Sequence, residues 1–151
     1  MKCAWSHCRH NNIISENEQY VKKSSKYYHF ACDCERENIN KSIILFTENV
    51  NDQVVMSQLR GIINNLIFKQ GFEAEYVVFA IKYAIEHPEL KLMYPQGLHR
   101  ICKDQNILNL WKKKQADDML RGQSINLQEI EEHKIEYNFT KKKRSVSDLF
   151  G

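Results

Sequence analysis

From residue 33 onward, the apolar positions fall on helical stripes separated by short polar breaks. Asp33 to about Val50 carries Ile39, Ile43, Ile44 and Phe46 at close to helical spacing. Asn51-Asp52 then offers a helix cap, and the run to Gln70 sets Val55, Leu59, Ile62, Ile63 and Leu66 on one stripe. Gly71 follows as a glycine C-cap would. From Glu73 to His87 a second stripe holds Val77, Ala80, Ile81, Ala84 and Ile85, stopped by Pro88. Pro95-Gln96-Gly97 marks a turn into a short helix with Leu98, Ile101 and Cys102, and Asn106 to about Gly122 carries Ile107, Leu108, Trp111 and Met119. Ser124 to Tyr137 has Leu127 and Ile130 among four glutamates and reads as an exposed helix.

The first 36 residues follow another rhythm. Gln19–Lys23 and Lys26–Phe30 look like two short strands joined by Ser24-Ser25. The expected fold is mainly α. A zinc-stabilised β-hairpin module over 1–36 precedes a helical bundle over 37–138 and a flexible basic tail over 139–151.

Composition adds constraints. A chain of 151 residues with 42% hydrophobic and 27% charged residues can bury a core. No stretch offers the roughly eighteen uncharged apolar residues of a membrane span. The start, Met1-Lys2-Cys3-Ala4-Trp5, does not read as a signal peptide. The expectation is an intracellular, cytoplasmic protein, in which disulfides are rare.

The cysteines supply the chemistry. Four of the five (Cys3, Cys8, Cys32, Cys34) fall in the first 34 residues, near histidines, while Cys102 stands alone as a small core residue. Cys3-x4-Cys8, about twenty intervening residues, then His29-x2-Cys32 gives two close ligand pairs joined by a loop. That is what a tetrahedral Zn²⁺ site requires. With all four positions filled by protein, the zinc would be structural.

The segment Lys26-Tyr-Tyr-His-Phe-Ala-Cys32 resembles the second half of treble-clef and LIM-type zinc knuckles. It is also similar to small zinc-knuckle proteins of phages that infect Gram-positive bacteria, in which an N-terminal Cys pair precedes Tyr-His-x2-Cys and a helical body. The resemblance implies a phage protein acting inside a bacterial host cell. The family pattern has Cys-x2-Cys, but Ser6 stands at the second position. Cys8 then becomes the partner of Cys3, His7 or His10 could substitute, and Cys34 could compete with Cys32.

Charge is uneven. The tail from 139 holds Lys141, Lys142, Lys143 and Arg144 against Asp148, which accounts for the whole net charge of +3. Local basic groups remain: Lys22, Lys23 and Lys26 among Tyr20, Tyr27 and Tyr28; His99, Arg100 and Lys103; and Lys112, Lys113 and Lys114 beside Trp111. Lysines among aromatics suit nucleic acid, with phosphates meeting the charges and bases the rings. A solvated helix face is the competing reading for 112–114, since Asp117 and Asp118 follow one turn on.

The tail ends Val146-Ser147-Asp148-Leu149-Phe150-Gly151, two large apolar residues on a polar tether. It resembles the bacterial sliding-clamp binding peptide, with consensus Gln-Leu-Ser/Asp-Leu-Phe. Asp148, Leu149 and Phe150 match that consensus, and Val146 and Ser147 depart from it. The stretches YVVFAIKYA and ILNLWKKK loosely resemble bacterial primosome proteins of the DnaD type.

Neither a phosphate-binding glycine loop nor a nucleophile elbow is present, and nothing suggests a small-molecule substrate. The first expectation is therefore a phage-type accessory protein of DNA replication or recombination, binding DNA or another nucleic acid and reaching the sliding clamp by its tail. A protein–protein inhibitor or adaptor acting on a host factor is the second. A small metal-dependent nuclease is the third.

Overall fold

The computed structural model describes residues 1–122. The expected helix over 124–137 and the tail, with Lys141–Arg144, Val146, Asp148, Leu149 and Phe150, lie outside the described residues. The chain is mainly helical, with one two-stranded antiparallel hairpin near its N-terminus.

Strands β1 (Tyr20–Lys23) and β2 (Lys26–His29) pair with Tyr20 opposite His29 and Lys22 opposite Tyr27. Ser24 takes φ +55°, as a tight two-residue hairpin turn requires. Helix α1 (Phe30–Asn49) starts directly at the end of β2, with His29 as its N-cap residue. It thus begins three residues earlier than its apolar stripe suggests, and Cys32 lies in its first turn. Its buried face runs Cys32, Ile39, Ile43 and Phe46, at intervals of three, four and seven. Ile44 falls off that face and is exposed.

The stripe expected from 51 to 70 divides in two. Helix α2 (Met56–Asn64) is capped by Val55, not by Asn51-Asp52. The Asn51 side chain instead accepts the amide of Gln53 at 2.9 Å, closing a local turn before the helix, and Val55 is left exposed. A π-helical turn, Asn65–Lys69, continues α2. Leu66 and Ile67 on this turn are both buried in the core. Gly71, at φ +80°, ends the run, and the Phe72 amide donates back to the Leu66 carbonyl at 3.0 Å.

Helix α3 (Ala74–Glu86) packs most extensively on α1 and is followed by a single 3₁₀ turn, Pro88–Leu90. Helix α4 (Gly97–Lys103) follows the Pro95 turn, and α5 runs over 105–122, where the described residues end. The core holds Phe46, Leu59, Ile63, Leu66, Val77, Ile81, Leu98 and Ile101, all essentially without solvent contact. Each such side chain contributes roughly 1.5–3 kcal/mol of burial. The Tyr76 hydroxyl donates to the Cys102 carbonyl at 2.7 Å, tying α3 to α4. Burial pushes the Cys102 thiol up to about 12, so it behaves as the core residue its sequence context suggests.

Met1–Asn109 forms one compact unit; a second begins at Leu110, and its described part, 110–122, is helical. Among the described residues, no helix is long and apolar enough to cross a membrane.

Candidate metal centre

The N-terminal segment is held by main-chain bonds to two neighbours. The Cys3 amide donates to Asn12 and the Ala4 amide to Tyr27, each at 2.8 Å, so the segment lies between the 12–14 stretch and β2. Between Cys8 and Ile13 the chain reverses through Asn11 and Asn12, at φ +54° and +58°. Asparagine tolerates this left-handed region better than most side chains. The reversal turns the His10 amide onto the Cys8 sulfur at 3.4 Å, an N–H···S contact of the kind that favours thiolate.

His29 and Cys32 reach the same point from the strand-to-helix junction. The result is a group of four ligand atoms, from Cys3, Cys8, His29 and Cys32, all within 4.8 Å of one another. Cys8 Sγ lies 3.4 Å and Cys32 Sγ 3.8 Å from His29 Nδ1. Zinc bonds of about 2.3 Å to sulfur and 2.0–2.1 Å to nitrogen place tetrahedral neighbours roughly 3.5–3.8 Å apart. These two separations are close to those of a zinc cage, while the four atoms as a set span up to 4.8 Å.

The imidazole is also oriented for the task. Its Nε2 lies 3.0 Å from the Ile13 carbonyl oxygen, an acceptor only, so this nitrogen carries the proton. Nδ1 is then left with a lone pair facing the thiols. Glu18 stands 3.5 Å from the same Nε2. A carbonyl or carboxylate behind a ligating histidine is the usual outer support of a metal site. Donor set, spacing and tautomer all fit a metal ion, and the cluster can hold one.

Electrostatics around the thiols are uneven. Burial raises the Cys8 thiol, but hydrogen bonds from the His10 and Asn12 amides outweigh it and leave the group lower than an ordinary thiol. Cys32 goes the other way: burial, then the crowding of Cys8 and Cys3, pushes it up to about 12. Its place in the first turn of α1 aims the helix dipole at a negative sulfur. Glu18 is held below the usual carboxylate range, chiefly by the Ser15 amide that donates to it at 2.8 Å.

The competing ligands lie elsewhere. The His7 ring stacks on Phe68 at 4.0 Å between centroids, with Trp5 tilted against the same ring at 6.4 Å and the Arg9 guanidinium 5.8 Å from its centre. The loop between Cys3 and Cys8 is thus docked on the π-helical turn. The His10 ring packs on the His29 ring at 4.8 Å without joining the cluster. Cys34 faces a separate cavity lined by Phe30, Ile67 and Phe72.

The hairpin is braced on α1 by buried Asp33, which accepts from Lys23 Nζ at 2.8 Å and from Arg36 at 3.0 Å. Lys23 also pairs with Glu37. Burial opposes ionisation of Asp33, yet the hydrogen bonds from Lys23 and Arg36 prevail and hold its carboxyl below the usual range.

The basic residues singled out from sequence sit on separate elements. Lys22 and Lys26 are exposed on the hairpin, whereas Lys23 is committed to its two acidic partners. On α4, Lys103 is exposed, but Arg100 donates to the carbonyls of Leu90 and Lys91, closing the 3₁₀ turn. Lys112, Lys113 and Lys114 are exposed on α5, with the Lys114 ammonium 5.5 Å from the centre of the Trp111 ring.

Beside the cluster runs an open groove of about 410 Å³, lined by Lys2, Trp5, Asn12, Lys26 and Tyr27 among others, with no acidic side chain in its wall. Sequence reasoning passed over Lys2, Trp5 and Asn12, which become neighbours of Tyr27 only when the N-terminal segment pairs beside β2. The Ile13 carbonyl, a main-chain group, leaves no signal in sequence.

No known protein family, curated protein or solved structure matches this chain.

Proposed function

We propose that the chain is a zinc-stabilised nucleic-acid-binding protein, an accessory factor of phage DNA replication or recombination. Zinc is the metal that three thiols and one imidazole in a closed four-ligand set suit best. Its role is structural: the four protein groups leave no position for a reacting water.

One observation carries the nucleic-acid reading. The metal module presents cations beside aromatic rings on one surface: the Lys22 ammonium lies 5.5 Å from the centre of the half-buried Tyr27 ring, and the exposed Tyr20 meets that ring edge-on at 6.0 Å. Lys2 and Lys26 flank the adjoining groove, whose wall carries no opposing charge. Phosphates bind such cations by releasing counterions, while bases stack on the rings. The tail, with Asp148-Leu149-Phe150, would bring the protein to the bacterial sliding clamp.

Fluorescence anisotropy of labelled oligonucleotides with the zinc-loaded chain tests the reading. Binding should weaken steeply with salt, and Lys22→Gln with Lys26→Gln should reduce the slope of log affinity against log salt by about two. Absence of binding at low salt by the metal-loaded protein refutes it. For the tail, host-extract pull-downs compare the full chain with one ending at Thr140. Clamp recovered equally by both removes the clamp contact.

A further inference from the structure

Beside the metal cluster lies an open groove whose wall mixes aromatic, basic and small polar residues. Its volume of about 410 Å³ lies within the range of small-molecule pockets. The wall is mixed in a particular way. Tyr27 and Trp5 supply aromatic surface, Lys2 and Lys26 supply charge, and Ser6, Asn12 and Ser25 supply small polar groups. A duplex offers phosphates to such a groove but keeps its base faces stacked inside. A single strand offers both.

The frame of the groove is tied to the metal. Cys3 is a wall residue and a ligand at once, and its backbone bridges to Tyr27. Lys26 and Tyr27 open β2, which ends at His29, a second ligand. The cluster thus fixes the two edges of the groove, the N-terminal segment and β2, against each other.

We infer that this groove takes one unpaired base against Tyr27, with the adjoining phosphate between Lys2 and Lys26, making the protein selective for single strands over duplex. The inference rests on the nucleic-acid reading above and narrows it to one substrate class. Asn12 and Ser6 offer hydrogen bonds to the base edge.

The test uses the zinc-loaded full chain with a thymidine tract of about twelve nucleotides, a length within the usual span of single-strand sites, and with a duplex of equal length at the same salt. The single strand should bind at least on the order of tenfold more tightly, and Tyr27→Leu should remove about that factor while Tyr27→Phe keeps it. Zinc content per chain checks that each variant retains its fold. Should Tyr27→Leu lose zinc, Lys26→Gln, an exposed substitution, decides: it should lower the salt slope for the single strand by about one. Equal affinity for both forms, an unaffected Tyr27→Leu, or an unchanged slope for Lys26→Gln overturns the groove assignment. The broader nucleic-acid reading survives equal affinity or an unaffected Tyr27→Leu, and falls if neither form binds.

Discussion

Asp33 is the buried charge on which the hairpin's attachment to α1 turns. Its side chain is 7% exposed and accepts from Lys23 across the hairpin and from Arg36 one turn along the helix. Asp33→Asn keeps the shape but reverses one contact. The amide oxygen can still accept from Arg36, whereas its NH₂ then faces the Lys23 ammonium, donor against donor. Hydrogen bonds to charged groups are each worth about 1.5–3 kcal/mol. Lys23 is half in solvent and keeps Glu37 as a second partner, which screens and softens the loss. The net cost should be about 2 kcal/mol.

Denaturant unfolding of the zinc-saturated protein measures this cost as a shift in midpoint at constant slope. The pH dependence is a second check. Asp33 is held below its unfolded value of about 3.9, so its contribution is complete above that value and fades as pH falls through the lower, folded one. The difference between wild type and Asp33→Asn should therefore be the same at pH 7 as at about pH 5. A cost under about 0.5 kcal/mol, the level of an ordinary surface change, or a difference that vanishes by pH 5, would refute the bracing role.

Two further substitutions probe how the module and the body are built. Phe68→Ala removes the ring on which His7, Trp5 and Arg9 rest; it should cost about 1–2 kcal/mol in stability and shift Trp5 emission to the red, read against a Trp111→Phe background. Tyr76→Phe leaves the Cys102 carbonyl without its buried donor and should cost about 1–3 kcal/mol in thermal or denaturant unfolding, with zinc content unchanged.

Much of the fold was legible because its signals are local. Stripes such as Val77, Ala80, Ile81 and Ala84 fix α3, and Gly71 with Pro88 punctuate the chain as the backbone demands. The errors came where a tertiary contact or a main-chain device overrides pattern. Helix α1 extends three residues ahead of its apolar stripe, with Cys32 in its first turn directly after the strand that ends at His29. The Asn51 side chain is spent on its own turn, and the π-helical turn at 65–69 interrupts the 3.6-residue period of the stripe. At the site, residue type and spacing were enough to select Cys3, Cys8, His29 and Cys32. The structure adds why His7 is no rival to Cys8: Phe68, distant in the chain, stacks on its ring and draws it aside. The same limit hid the engagement of Lys23 and Arg100, whose partners are set only by folding.

The metal itself is the most direct test. Native mass spectrometry of the purified chain, with its zinc content determined in parallel, should find one zinc per chain. Cys8→Ser and Cys32→Ser should lose it, and His10→Asn and Cys34→Ser should keep it. A metal-free chain whose amides between residues 1 and 30 remain protected from hydrogen exchange would contradict the account, as would zinc retained by Cys32→Ser.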